Sequence, residues 1–189
     1  VKKLEVIGKA KGTGTLITFM PDPEIFRDTT EFKADIIAQR LRELAFLNSG
    51  LEIIFADERK AEAEPERFYY KNGVEEFVKQ LNKSREPLHP KPIAFRKETT
   101  EKLDDKNIEV HVEVVMQYND SYNDQVLCYT ITIHNPDGGT HLSGFRSAVT
   151  RAVNQYAKSN ELLKDKDPQI TGDDVREGLT AVISVKHSD

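Results

Sequence analysis

Between Ile108 and Lys186 the spacing of apolar residues changes from that of a strand to that of a helix and back again. Val110, Val112 and Val114 alternate, which predicts a strand over Ile108 to Gln117 with one apolar face. Leu142, Phe145, Val149, Val153 and Tyr156 then recur at helical spacing, which predicts one long helix, capped by Thr140 and running through about Ser159. Ala181 to Lys186 reads as a strand again. Two further apolar runs, Ile93 to Lys97 and Val126 to His134, add strands on the near side of the helix. A chain built this way is α+β.

The first half carries weaker signals. Val1 to Ala10 and Thr15 to Met20 read as two strands joined by the Lys11 to Gly14 turn, a hairpin. A helix is expected to start at Thr29-Thr30-Glu31 and to run along Ile36, Ile37, Leu41, Leu44 and Leu47. Asn48-Ser49-Gly50 should stop it, with Gly50 suited to a left-handed cap. Leu51 to Phe55 and Arg67 to Lys71 read as strands, separated by an acidic solvated loop from Asp57 to Glu66. Val74, Phe77, Val78 and Leu81 give a helix stripe, and Pro87, Pro90 and Pro92 mark a connector. Glu101 to Asn107 and Asn119 to Asp124 read as polar turns. A change in pattern near Lys71 divides the chain into parts 1–70 and 71–189.

Composition bounds what such a fold can do. With 27 basic and 32 acidic residues the net charge is -5, a balance that explains solubility and argues weakly against nucleic acid, although one basic face would suffice for binding. The single cysteine, Cys128, excludes an internal disulfide and fits a reducing, cytoplasmic compartment. No apolar run is long enough for a membrane span, and no signal peptide is visible. The chain lacks an initiator methionine, as an excised piece would.

The five histidines show no ligand spacing, and there is no phosphate-cradling glycine loop, paired-cysteine motif or zinc motif. Cys128 reads as a buried structural thiol. Gly12-Thr13-Gly14-Thr15 could bring backbone and a threonine hydroxyl up to a ligand, but a plain hairpin turn fits its composition better. Gly138-Gly139-Thr140 precedes the long helix, where free N–H groups attract anions, and Arg146 lies in the second turn. There a phosphate contact and a rim residue shielding apolar surface fit equally well. Counting along the helix, Arg146 flanks the apolar stripe, whereas Arg151 and Lys158 lie nearly opposite it. Thr171 and Asp174 have the spacing of a capping box, which fits better than a metal pair at Asp173-Asp174. Arg40 and Arg42 flank a core leucine as ordinary helix-surface residues. No self-contained catalytic site emerges, and a non-enzymatic α+β module binding nucleic acid or protein stands as a rival reading.

Several stretches nevertheless resemble the B subunits of bacterial gyrase and its relative topoisomerase IV, over essentially the whole chain and in order. They are Gly14 to Phe19, Arg40 to Gly50, Asp137 to Arg146 and Thr171 to Leu179; the Gly-Gly-Thr-His and Thr-Gly-Asp-Asp blocks are the most specific. The resemblance implies that residues 1–70 are the end of a Bergerat-type ATP-binding domain. It implies that residues 71–189 are most of a transducer domain with a left-handed βαβ crossover. It implies an ATP-dependent type IIA topoisomerase that needs ATP and Mg2+, works on DNA with the gyrase A subunit, and dimerises through the N-terminal region of the B subunit. Thr15 would help bind adenine through a water, with Ile17 lining the same pocket. Arg146 would line the cavity that holds the transported DNA, and Arg40 would contact DNA or the neighbouring domain. The family's catalytic glutamate, magnesium-binding asparagine, ATP lid and γ-phosphate lysine are expected outside this stretch, so the chain alone should be inactive.

Overall fold

The alternating valines lie on the longest strand of a five-stranded sheet, as their period requires. The computed structural model describes residues 3–60, 64–103, 106–164 and 166–187. Its elements, in chain order, are α1 (Ala34–Leu47), β1 (Glu52–Phe55), β2 (Glu66–Tyr69), α2 (Val74–Leu81), β3 (Ile93–Leu103) and β4 (Lys106–Tyr118). They continue with β5 (Gln125–Thr130), β6 (Ile133–His134), α3 (Thr140–Ser159), α4 (Gly172–Arg176) and β7 (Leu179–His187).

The large sheet has the order β3-β4-β7-β5-β6. β4 runs antiparallel to both β3 and β7, whereas β5 and β7 are parallel neighbours joined through α3 and α4. Parallel neighbours cannot be joined by a tight turn, so the long helical connection follows from the pairing. Val115 and Val182 pair across β4 and β7 and are fully buried, sharing a core with Phe77 and Val78 of α2, Phe46 and Leu47 of α1, and Tyr129 of β5. Phe46 stacks on Phe77 with ring centroids 4.9 Å apart. The next residue, Ile183, points to the opposite face by strand alternation and is buried too, together with Cys128 and Ala181. That face is left to α3, which packs along β7 with Leu142, Phe145, Val149 and Val153 half-buried. A second, two-stranded sheet of β1 and β2 packs on α1 through Phe68, Ala38 and Ala45.

Where β4 meets β7, a polar cluster is buried and satisfied. Thr180 Oγ1 donates to Asn82 Oδ1 at 2.7 Å and accepts from Asn119 Nδ2 and Arg85 Nη1 at 3.0 Å each. Asn82 Nδ2 in turn donates to Gln117 Oε1 at 3.0 Å. Unpaired polar groups are costly at zero exposure, so the ring of partners locks the register of β4 against β7.

Most of the expected elements form, and the departures have physical causes. Residues 3–33, part of a compact unit that spans Val1–Lys33, contain no strand or helix, so the expected hairpin is absent. Its apolar residues, Leu4, Ile7 and Leu16 among them, are exposed, and a two-stranded hairpin without a covered face is marginal in water. The helix expected from Thr29 begins five residues later; the Thr29 hydroxyl instead accepts from the Glu31 N–H in a local turn. Its core stripe runs through Ala38, Leu41 and Ala45, and Ile36 is exposed. Gly50 has φ 82°, the left-handed cap expected of it. Thr140 is the first helical residue of α3 and not its cap, a position taken by Gly139. Tyr156 is 64% exposed, and the next residue, Ala157, is the one buried instead. The strand expected over Val126 to His134 breaks at Ile131 and Thr132 into β5 and β6. The polar turn over Glu101 to Asn107 is shortened from both sides by β3 and β4. Its residues 104–105 lie outside the described residues, as do residues 1, 2, 61–63, 165, 188 and 189 of the other expectations.

Candidate functional site

α3 starts where the backbone can turn only through glycine. Gly138 has φ 72°, and a side chain there would sit 2.3 Å from Leu142 Cδ2. The helix that follows carries Arg146, Arg151 and Lys158, and α4 brings Arg176 alongside. Together these four line a groove of about 670 Å³, with Asn154 and Gln155 between them. No acidic residue lines it among the described residues. These cations are gathered locally on a chain of net charge -5, with Arg176 already paired to Asp173 at 2.5 Å.

The groove is built, not incidental. Asn154 donates from Nδ2 to the Ile170 carbonyl at 2.8 Å and accepts from the Ile170 N–H at 3.0 Å, which pins the α3–α4 connection against α3. The Thr171 hydroxyl and the Asp174 carboxylate form the expected capping box and fix the start of α4. These bonds hold the Asp174 carboxyl below its ordinary value. Asp124, at the margin, sits 3.7 Å from Arg146 and 3.5 Å from Arg176 and holds the two guanidinium groups near each other. The Arg146 side chain is 43% exposed, so the ion pair leaves N–H donors open to a ligand.

Of the residues singled out from sequence, Arg146 lies in this groove. Arg151 and Lys158, placed opposite the apolar stripe by angular counting, line the same groove as Arg146. Arg176 was not legible as part of it, because only the fold brings α4 to α3. Arg40 lies elsewhere, on α1, with Glu43 at 2.8 Å and the Thr132 carbonyl at 2.5 Å. Thr15 and Ile17 lie in the first unit with their side chains exposed. Cys128 is buried and free, and burial pushes its thiol up, with Arg146 pulling the other way; it is unsuited to act as a nucleophile. No group of residues that could hold a metal ion occurs among the described residues. Nor does any helix there have the length and apolarity to cross a membrane.

Residues 73–189, which contain the groove, match the family model described as DNA gyrase B. The chain belongs to the DNA gyrase B family. It is 43% identical over 97% of its length to a DNA gyrase B protein of Bacillus mycoides, and 46% identical over 99% to one of Streptococcus pyogenes serotype M3. It spans 43% of the first protein and 28% of the second. Among solved structures it is similar to the 43K ATPase domain of Thermus thermophilus gyrase B, crystallised with an aminocoumarin. There the TM-score is 0.72 and the identity 44%, over 88% of this chain and 42% of that one. The mixed α+β architecture agrees with that relative, so the gyrase B resemblance read from the Gly-Gly-Thr-His and Thr-Gly-Asp-Asp blocks is borne out.

Proposed function

We propose that the chain is the segment of a gyrase B protein that passes the nucleotide state of an ATP-binding domain to bound DNA. On this reading residues 1–70 end the ATP-binding domain, and residues 71–189 form most of the transducer, with a left-handed β5-α3-β7 crossover. The whole protein, with the gyrase A subunit and a second copy of itself, uses ATP and Mg2+ in the cytoplasm to introduce negative supercoils into DNA. The observation that supports this most strongly is the groove: four cations, and no acid among the described lining residues, suit a polyphosphate backbone, whose binding is ionic and indifferent to sequence. Arg146 is the central phosphate contact. Thr15 and Ile17 belong to the adenine site of the whole protein, Thr15 through an ordered water. Arg40 is a contact to DNA or between the two parts.

The decisive test is ATP-dependent supercoiling of relaxed plasmid by the full-length protein with its A partner. Supercoils that require both ATP and the A partner are expected, and relaxation alone would refute the reading. The 189-residue chain by itself is expected to hydrolyse no ATP, since exposed Thr15 and Ile17 enclose no base.

A further inference from the structure

Arg40 makes two different commitments with one guanidinium. Nη1 pairs with Glu43 Oε2 on the same helix at 2.8 Å. Nη2 reaches 92 residues along the chain and donates to the carbonyl of Thr132 at 2.5 Å. Glu43 Oε2 also accepts from the Tyr129 hydroxyl at 3.5 Å, so α1 grips β5 and the turn after it at two points.

That turn is unusual. Thr130 pairs with Ile133, which leaves a two-residue loop, Ile131-Thr132, between β5 and β6. Both loop residues are left-handed, with φ 46° and 68°. Two-residue hairpin loops of this kind normally carry Asn-Gly or Gly-Gly, because both positions need positive φ. β-Branched side chains there are strained, and such strain persists only where the surroundings over-determine it. Here the Ile131 N–H donates to the Val185 carbonyl at 2.8 Å, and Arg40 holds Thr132. Beyond the turn, Asn135 is tied back to β5, its N–H to the Cys128 carbonyl and its Oδ1 to the Thr130 hydroxyl, both at 2.8 Å. Gly138 and Gly139 then lead directly into α3 and Arg146.

We propose that Arg40 is the positioning residue that couples α1 to the DNA groove, by clamping the strained Ile131-Thr132 turn from which the chain enters α3. The inference rests on the gyrase reading above, in which α1 belongs to the nucleotide side and α3 to the DNA side. It narrows the role of Arg40 to a contact between the two parts, because the donors seen are directed at Glu43 and Thr132. A shift of α1 pulls on the Thr132 carbonyl, and a strained turn has a relaxed alternative to fall into.

The experiment uses the full-length protein with its A partner. Arg40→Ala should lower the ratio of DNA-stimulated to DNA-free ATPase roughly 2- to 30-fold, the range of coupling through one packed element, with the loss in kcat and not in KM for ATP. A ratio equal to wild type overturns the proposal. Thr132→Gly, added to Arg40→Ala, lets the loop keep its shape without the clamp. If Arg40 only maintained that shape, the double variant would recover both melting temperature and ratio, and the proposal falls. If Arg40 is the coupling itself, melting temperature recovers and the ratio stays low. Arg146→Gln assayed in parallel separates the two claims: normal stimulation in that variant refutes the groove reading, whereas normal stimulation in Arg40→Ala alone refutes only the coupling.

Discussion

At the scale of single residues, the groove depends on charges that are fixed by neighbours. Asp174 illustrates the sign of one such effect. The Thr171 hydroxyl and N–H both bond its carboxylate, which lowers its pKa in the folded chain relative to the ordinary 3.8. A depressed carboxylate contributes stability that is complete above the ordinary value and lost as pH falls through the lowered one. The melting temperature of Asp174→Ala is therefore expected to lie below wild type near neutrality, and the gap to close on acidification below about 3.8. A gap that stays constant as the pH is taken well below that value would show that the carboxylate charge does nothing for the α4 cap. The cap itself was legible, because Thr-x-x-Asp is a local spacing. Asp124, which gathers Arg146 and Arg176, was not, because nothing in a polar turn announces which distant cations it will meet.

At the scale of elements, the long periodic segments were legible and the tertiary exceptions were not. α3 occupies Thr140–Ser159 as its stripe predicts, and α2, β1, β2 and β7 lie where their patterns put them. The break at Ile131-Thr132 was hidden because both residues favour strands, and only tertiary contacts force them into a left-handed turn. The hairpin over residues 1–20 failed for the opposite reason, since local alternation supplies no covering partner. The buried ring around Thr180 is a further tertiary feature, joining α2, β4 and β7 through residues that read as ordinary polar positions. Thr180→Val keeps the shape but removes the bonds of the hydroxyl to Asn82, Asn119 and Arg85, while Asn119 Nδ2 still donates to Asn82 Oδ1 at 3.1 Å. Chemical denaturation should show a loss of about 0.5–1.5 kcal/mol for each bond removed. An unchanged denaturation midpoint would mean that the ring does not hold β4 to β7.

At the scale of the whole molecule, the four-cation groove on an acidic chain is what the proposed DNA contact rests on. Under that proposal, phosphates of a duplex would meet Arg146 first, since it stands nearest the glycine-led start of α3 and keeps its donors partly open. Its charge is not needed to cover the sheet, whose face toward α3 is made by Cys128, Ala181 and Ile183. The measurement that bears most directly on the central claim is made on full-length Arg146→Gln with its A partner, recording melting temperature and DNA-stimulated ATPase on the same preparation. The expected result is a melting temperature close to wild type with weakened DNA stimulation and weakened supercoiling. A lowered melting temperature with normal DNA stimulation would contradict it, and would make Arg146 a residue that shields apolar surface.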